Sequence, residues 1–427
     1  MKGFLTLFVN ELRAVVRSKT LLLQLLAAVA WMFAAPRLFT GDGTAEGLRE
    51  MTVHFSLGGV AAMLSVSLLF SATGAIAKER ATKRLALTLV RPVRYFGVAW
   101  SKMLAHTLCG AFVLAVCLPI EWVRQPATRC RHVLKPVVPS LRQEAEEMYG
   151  YYMASSNTPA KVKAAKREVV IRLLANRAKD RYDTVDAGSS FAWRFDFPDD
   201  WRVTGREDSG DGRRLAARLR FSASFDRRED VCGELTFGGC RGAVSNITQS
   251  VVEIPLARVR PDGPADGELV FRNAGANPLM LRPRKDVELL AEADSFGWNL
   301  LRAYLELVAM ISLLTAFGVF LGAGLGRPAA LFTAISALVL SEMAPSVIDQ
   351  YADELETDRV DAVGLAITRA ATTVSKPVSA IRPLEALSLG ECVEPGEVCA
   401  FLAVDSVCLP IIFSILSALV IPRKQDA

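Results

Sequence analysis

Apolar residues are concentrated in six long runs, which polar and charged segments separate. A helix needs about 20 mostly apolar residues to cross the roughly 30 Å of hydrocarbon in a bilayer, and each run has about that length. The pattern therefore predicts a membrane protein of mainly α class. Its six transmembrane helices are predicted at 20–39, 54–75, 103–120, 298–323, 328–346 and 398–421.

The first 19 residues combine basic and apolar character, which is also typical of a signal peptide. Glu11, Arg13 and Arg17 interrupt the apolar stretch early, and no small-residue cleavage site follows. The apolar residues recur at helical spacing. We therefore predict that residues 1–19 form an amphipathic helix at the membrane surface, leading into the first transmembrane helix.

The long segment 121–297, between the third and fourth predicted spans, changes its periodicity along its length. Residues 141–186 follow a helical pattern, with a break before Pro159. From Phe191 onwards, short runs, several of them alternating, are separated by Gly, Asp and Pro. The segment therefore predicts an α+β domain with a helical part and a small β-sandwich.

Lys and Arg are unevenly distributed among the short segments that flank the predicted spans. Two of these segments, 40–53 and 347–397, carry clearly fewer Lys and Arg residues than the remaining segments, which form a basic group. The positive-inside rule places the basic group in the cytoplasm with both termini, and the domain 121–297 outside. The expected location is a bacterial cytoplasmic (inner) membrane. The basic group consists of 1–19, 76–102, 324–327 and 422–427.

The predicted cytoplasmic loop 76–102 has a basic and an apolar side. Glu79 is its one acidic residue among many basic ones, and a Leu-rich stretch follows until Pro92. This pattern predicts a short amphipathic helix that lies along the membrane surface and ends before the proline. Such a helix offers a docking surface to a cytoplasmic partner.

This loop resembles the cytoplasmic coupling segment of type-2 ABC exporter permeases. Glu79, Pro92-Val93-Arg94 and Lys102 stand where that family has a Glu, a Pro-x-Arg and a Lys that opens the third span. Lys83-Arg84 stands where the family usually has Gly-Thr. The resemblance covers the six-span core and the N-terminal amphipathic helix. It extends to the segment 347–397, which is similar to the family's short helices that dip into the outer leaflet.

The resemblance implies a permease subunit that couples ATP hydrolysis by a separate ATPase to the export of a substrate. It also implies two permeases, identical or related, with two ATPase subunits on the cytoplasmic face. The chain has no Gly-x-x-x-x-Gly-Lys-Ser/Thr phosphate loop, so another polypeptide would hydrolyse ATP. The residues that would receive the ATPase movement are Glu79, Arg80, Lys83, Arg84, Arg91, Pro92 and Arg94.

Ionisable side chains occur within or at the ends of the predicted spans, on the outer side. Charge inside hydrocarbon is costly and marks either local pairing or a functional site. One interpretation pairs Arg302 with Glu306 and leaves the others at the membrane surface. The other has some of them lining an outward vestibule for the transported molecule. The candidates are Arg37, Arg302, Glu306, Glu342 and Asp405.

Cysteine and histidine supply the remaining candidate chemistry. One cysteine pair flanks a predicted strand and turn, another straddles the start of the sixth span, and an oxidising compartment permits a disulfide in each. Cys130 and His132 are too few ligands to predict a metal site. We expect no cofactor. The two candidate pairs are Cys232 with Cys240 and Cys392 with Cys399.

Composition agrees with a membrane part joined to a soluble part, because 51% of the residues are hydrophobic and 22% are charged. A net charge of +5 with dispersed basic residues gives no support for a nucleic-acid partner. An alternative function is a membrane-anchored sensor or scaffold whose domain 121–297 binds a partner protein. A membrane-embedded enzyme would need clustered His, Asp or Ser at one depth, which the sequence does not indicate.

Overall fold

The computed structural model describes residues 2–39, 45–83, 94–125, 129–138, 141–155, 167–197, 215–221, 232–237, 240–244, 251–256, 267–351 and 381–423. The chain divides into two compact units. The first unit comprises Met1–Cys130 and Asp294–Ala427, and the second comprises Arg131–Ala293. The second unit falls within the predicted domain 121–297.

The helices of the described residues, in chain order, are α1 Lys2–Val16, α2 Lys19–Leu38, α3 Ala45–Ala81, α4 Tyr95–Arg124, α5 Leu141–Ala154, α6 Arg167–Asp183, α7 Pro283–Asp286, α8 Phe296–Gly324, α9 Arg327–Tyr351, α10 Ile381–Ser388, α11 Pro395–Ala403 and α12 Leu409–Arg423. A π-helical segment, Val404–Cys408, joins α11 to α12. The strands are β1 Arg129–Leu134, β2 Thr184–Val185, β3 Ser190–Phe195, β4 Leu215–Arg220, β5 Gly233–Phe237, β6 Cys240–Val244, β7 Val251–Leu256, β8 Gly267–Asn273, β9 Leu279–Met280 and β10 Val287–Ser295.

Five helical segments of the described chain are long and apolar enough to cross a membrane, as expected of a multi-pass membrane protein. The sequence predicted a span in each of them. The remaining predicted span, 328–346, falls in α9. The part of α9 whose side chains are described, Arg327–Val339, is apolar but shorter than a span. A sixth crossing therefore stays a prediction. The five segments are Lys19–Leu38, Glu50–Ala81, Tyr95–Arg124, Phe296–Gly324 and Pro395–Ile421.

Helix α8 is the central helix of the first unit. In its most apolar 18-residue stretch 78% of the residues are buried within the chain, against 22% for α2. Helices α3 and α8 cross closely at Gly322, where a Cβ atom would lie 2.3 Å from the carbonyl oxygen of Thr73. Large apolar side chains such as Leu23 and Leu419 are exposed on α2 and α12. Such faces are typical of helices that contact lipid.

The second unit contains two four-stranded sheets, with strand orders β1-β10-β4-β7 and β3-β8-β5-β6. Alternate residues of both sheets enter one apolar core, including Trp193 of β3, Phe271 of β8 and Leu219 of β4. This period of two buries one face of each strand, as in a small β-sandwich. Helices α5 and α6 pack against each other through a separate apolar cluster that includes Ala145 and Leu174.

A row of charges crosses the sheet that contains β4. Glu288, Arg218 and Glu253 are register partners on β10, β4 and β7. Arg218 Nε lies 2.9 Å from Glu253 Oε1, and Arg131 Nη1 lies 2.5 Å from Glu253 Oε2. Burial tends to raise the pKa of Glu253, but hydrogen bonds and charges from Arg131 and Arg218 outweigh it, and the pKa of Glu253 is lowered.

Candidate functional site

A buried lysine joins three helices of the first unit. Lys102 lies two turns into α4 and is 1% exposed. Its Nζ donates hydrogen bonds to Glu11 Oε1 at 2.8 Å and to Glu79 Oε1 at 2.6 Å. Glu11 belongs to α1 and Glu79 to the end of α3. One ammonium group thus connects α1, α3 and α4, and we call Glu11, Glu79 and Lys102 the charge triad.

The surrounding apolar residues determine where the charge triad forms. Helix α3 has 37 residues, well beyond the roughly 20 that cross a bilayer, so its last turns extend past its apolar part. Val98 and Met103 of α4 belong to a buried cluster against which Leu7 of α1 packs. Glu11 follows Leu7 by one helical turn and therefore lies on the same side of α1. This packing brings the Glu11 carboxylate to Lys102.

The charge triad contains two carboxylates and one ammonium group, so it carries one excess negative charge. The second oxygen of Glu79, Oε2, is buried and has no hydrogen-bond partner among the described residues. One turn further along α4, His106 Nδ1–H donates to the Lys102 carbonyl oxygen at 2.8 Å. Removal of one partner of a buried ion pair strongly destabilises a protein, because the other charge is left uncompensated. The triad should therefore be sensitive to the loss of any member.

The neighbouring residue Arg80 connects α3 to α8. Arg80 Nη1 donates to the carbonyl oxygen of Ala323 at 2.7 Å, and Nη2 donates to that of Leu325 at 2.9 Å. The last carbonyl groups of a helix lack partners within the helix, and a guanidinium group satisfies them well. Two adjacent side chains, Glu79 and Arg80, therefore connect the end of α3 to two other long helices: Glu79 to α4 through Lys102, and Arg80 directly to the end of α8.

The predicted ATPase-coupling residues fall into two groups. Glu79 and Arg80 are bonded to other helices of the chain. Lys83 and Arg94, by contrast, have exposed side chains at the end of α3 and the start of α4. They are available to a partner, as is the exposed Lys78 of α3. The remaining predicted residues, Arg84, Arg91 and Pro92, lie outside the described residues.

The backbone at Lys83 is left-handed, with φ of 57°. A left-handed residue directly after a helix is usually Gly, because a Cβ atom is strained there. Lys83 is the position where the type-2 ABC exporter permeases usually have Gly. The sequence departs from that family at this residue, but the turn that a glycine favours is present.

The ionisable residues that the sequence placed near the outer side lie on α2, α8, α9 and the π-helical segment. Arg37, near the end of α2, donates to the Phe33 carbonyl oxygen at 3.3 Å. Arg302 of α8 donates to the Val393 carbonyl oxygen at 3.5 Å. Glu306 of α8 and Asp405 of the π-helical segment are 8% and 1% exposed, so the chain encloses both side chains. The side chain of Glu342 lies outside the described residues.

Sequence reasoning did not single out Glu121, which is fully buried near the end of α4. Its carboxylate accepts hydrogen bonds from Gln125 Nε2 at 3.1 Å, Ser56 Oγ at 3.3 Å and Arg124 Nη1 at 3.3 Å. The predicted third span ended at residue 120, so Glu121 fell at the start of the predicted domain 121–297. The spacing of Glu121 and Arg124, one helical turn apart, is the signal that this pair continues the helix.

A disulfide joins Cys130 to Cys392, with the Cα atoms 5.2 Å apart. Cys392 and Cys399 were a candidate disulfide pair, but Cys399 is a free, exposed thiol on α11. The side chain of Asn299 holds the backbone on both sides of Cys392. Its Nδ2 donates to the carbonyl oxygen of Glu391 at 2.7 Å, and its Oδ1 accepts from the Val393 amide at 2.7 Å.

The other predicted disulfide, Cys232 with Cys240, also does not form, and Cys232 is a free thiol. Strands β5 and β6 pair as a hairpin in which Phe237 faces Cys240 and Gly233 faces Val244. Cys240 therefore lies beside the turn, while Cys232 lies beyond the open end. At about 3.4 Å per residue the two positions are roughly 17 Å apart along the strands. A disulfide requires Cα atoms within about 7 Å.

Comparison with known proteins identifies no relative: no protein-family model, no curated protein and no solved structure matches the chain.

Proposed function

We propose that the chain is the membrane permease subunit of an ABC transporter of the type-2 exporter class. It would couple ATP hydrolysis by a separate ATPase subunit to the export of a substrate. The observation that carries the proposal is the charge triad. Glu79 and Lys102, on which the resemblance rests, are in direct contact, and Glu11 of the N-terminal amphipathic helix completes the group.

The exposed and the helix-bonded coupling residues would have different roles. The exposed cations Lys78, Lys83 and Arg94 would contact an acidic surface of the ATPase. Movement of the end of α3 would then pass through Glu79 to Lys102, and through Arg80 to the end of α8. Coupling between distant sites is carried by contiguous bonded networks of this kind. The long helices would tilt in response, without covalent chemistry in this chain.

The proposed assembly contains two permeases, identical or related, and two ATPase subunits, embedded in a lipid bilayer. The substrate would pass between the two permeases. The domain 121–297 would lie outside, where it would receive substrate or bind an extracytoplasmic protein. A cytoplasmic (inner) membrane, with both termini in the cytoplasm, is the location that fits the uneven distribution of Lys and Arg.

The disulfide supports this orientation. Cys130 follows the end of α4 that is remote from Lys102, and Cys392 is held beside Asn299 near the start of α8. Disulfides persist in oxidising compartments and are rare in the bacterial cytoplasm. The end of the helical unit with Cys130 and Cys392 would therefore face outward, and the charge triad would face the cytoplasm.

The test is affinity purification of the tagged full-length chain from its own host in mild detergent, followed by measurement of ATP hydrolysis in the eluate. We expect an ATPase to co-purify with the wild type. The double variant Lys83→Glu/Arg94→Glu should lose the ATPase, because it reverses the exposed charge. The variant Glu79→Gln should retain the ATPase but alter its rate. Glu397→Gln, an exposed carboxylate on α11, serves as the matched control.

Absence of any co-purifying ATPase from correctly folded protein would overturn the proposal. The alternative, a membrane-anchored sensor or scaffold, would then be favoured, especially if a partner protein bound through the domain 121–297. If the charge-reversed double variant retained the ATPase, the transporter proposal would stand. Lys83 and Arg94 would then not belong to the docking surface.

A further inference from the structure

A buried carboxylate interrupts the last apolar helical segment. Asp405 lies in the π-helical segment Val404–Cys408, between α11 and α12, and is 1% exposed. Neither of its carboxylate oxygens has a hydrogen-bond partner among the described residues. The adjacent Ser406 Oγ is also buried and without a partner there. An ionised carboxylate in such surroundings is costly unless a positive charge accompanies it.

Aromatic contacts place Asp405 in the interior of the helical unit. The ring of Phe413 lies 5.6 Å from that of Phe317 and 5.6 Å from that of Phe320, both on α8. Asp405 precedes Phe413 by about two helical turns. The last helix runs in the same direction as α8, because Gly324 at the end of α8 lies beside Val420 near the end of α12. Asp405 is therefore level with about the middle of α8. That position is remote from either end of the span.

The π-helical geometry has a local cause in Pro410, at the start of α12. Proline lacks the amide hydrogen that would bond to the carbonyl oxygen of Ser406, and its ring clashes with that carbonyl group. The wide turn therefore needs no functional explanation, although such turns are frequent at functional sites.

The elements packed against the π-helical segment are α8, α11 and α12. Among their described ionisable side chains, Arg302 donates to the Val393 carbonyl oxygen near the start of α8. Tyr304 donates to the Ala111 carbonyl oxygen at 3.1 Å. Glu306 is buried and acidic, while Glu397 and Cys399 of α11 are exposed. No hydrogen bond from this described set reaches Asp405.

We propose that Asp405 is a site inside the membrane that binds one positive charge, supplied by a proton or a small monovalent cation. The chain encloses the carboxylate, so a bulky ligand does not fit around it. Binding would neutralise the carboxylate. The site does not depend on the proposed ATPase partner, and it would give the last span two charge states.

The test is labelling of the purified full-length protein with a hydrophobic carbodiimide, which adds to protonated carboxyl groups in apolar surroundings and leaves an N-acylurea. Mass spectrometry of the peptide containing Asp405 measures the modified fraction. We expect modification in mildly acidic buffer and a fall of about tenfold for each pH unit above the midpoint. Asp405→Asn should remove the adduct and Asp405→Glu should retain it.

Sodium, potassium and ammonium ions, each added at constant pH, distinguish the two sources of charge. Protection by one of them would identify a cation that competes for the carboxylate, while a response to pH alone would identify the proton. An unmodified Asp405 at every pH, in a sample where Glu121 or Glu306 is modified, would overturn the proposal. A modified fraction that responds to neither pH nor cations would also overturn it. Co-purification of an ATPase is scored separately, so the two proposals fail independently.

Discussion

Lys102 Nζ lies 2.6 Å from Glu79 Oε1, although the two residues are 23 positions apart in the sequence. The contact joins the end of α3 to the second turn of α4. Because the side chain of Lys102 is buried, the ammonium group has lost its water and depends on its two carboxylate partners. This dependence makes the contact a measurable contributor to stability as well as a candidate route for movement.

Replacement of Lys102 by Met should destabilise the protein by about 1–3 kcal/mol, because Glu11 and Glu79, whose side chains are 19% and 24% exposed, would lose their shared counter-charge. Thermal unfolding of the detergent-solubilised protein measures the effect. Lys78→Met, at an exposed position of α3, should change stability by less than about 0.5 kcal/mol. Equal melting temperatures for the two variants would contradict the assignment of Lys102 as a bonded, buried group.

A charge exchange tests the partnership itself. Lys102→Glu alone should fold poorly, since it would place three carboxylates together. Combination with Glu79→Lys restores one ion pair and should recover part of the lost stability, measured by the yield of monodisperse protein and its melting temperature. Combination with Lys78→Glu should recover none. Failure of the Glu79→Lys exchange to improve on Lys102→Glu would count against direct contact.

The membrane helices were predictable because a run of about 20 apolar residues has few alternatives to a span. Glu79 and Lys102 were also singled out, because they belong to a motif. Glu11 was noted only as an interruption of an apolar stretch, since nothing local reveals a partner on another helix. Cys392 was paired with the wrong thiol for the same reason: its partner, Cys130, is 262 residues away and is brought close only by tertiary packing.

Lys83→Gly should stabilise the protein by about 1 kcal/mol, because the left-handed backbone at this position strains a residue that has a Cβ atom. Lys83→Ala should give no such gain, which separates the backbone effect from loss of the charge. Melting temperatures of the two purified variants, compared with the wild type, measure the difference. Thr82→Gly is the neighbouring control, and it should be neutral or destabilising. A Lys83→Gly variant no more stable than Lys83→Ala would contradict the left-handed turn.

The disulfide predicts a specific pattern of thiol reactivity. In denatured but unreduced protein, a maleimide reagent should leave Cys130 and Cys392 unmodified and label Cys232, Cys399 and Cys408. Peptide mass spectrometry measures each site. Reduction before labelling should make Cys130 and Cys392 reactive. The variant Cys392→Ser should release Cys130 for labelling, whereas Cys399→Ser should not.

Loss of this disulfide should destabilise the protein by about 2–5 kcal/mol, since it closes a very long loop of the chain. The double variant Cys130→Ser/Cys392→Ser, compared with the wild type under non-reducing conditions, measures this cost. In a reducing agent the two proteins should unfold at the same temperature. An effect of reduction on the double variant of similar size would point to a different disulfide.

The charge row of the second unit predicts how its stability changes with pH. The pKa of Glu253 is lowered from its ordinary value of 4.5, so the unfolded chain binds a proton at this residue more readily than the folded chain does. The stabilisation is therefore fully present above about pH 4.5, and it is lost as the pH falls through the lower pKa of the folded state. Glu253→Gln should remove this contribution.

Hydrogen–deuterium exchange of the β4 and β7 peptides in the full-length protein, corrected for intrinsic exchange at each pH, measures the contribution. At neutral pH the wild type should be better protected than Glu253→Gln, and the difference should shrink in acid. Glu234→Gln is the control, because Glu234 lies 3.7 Å from Arg241 in an exposed pair, and such pairs contribute little. A protection difference that persisted unchanged in acid would mean that Glu253 stabilises the sheet through its shape or its neutral hydrogen bonds. A larger difference in acid would contradict the direction of the pKa shift.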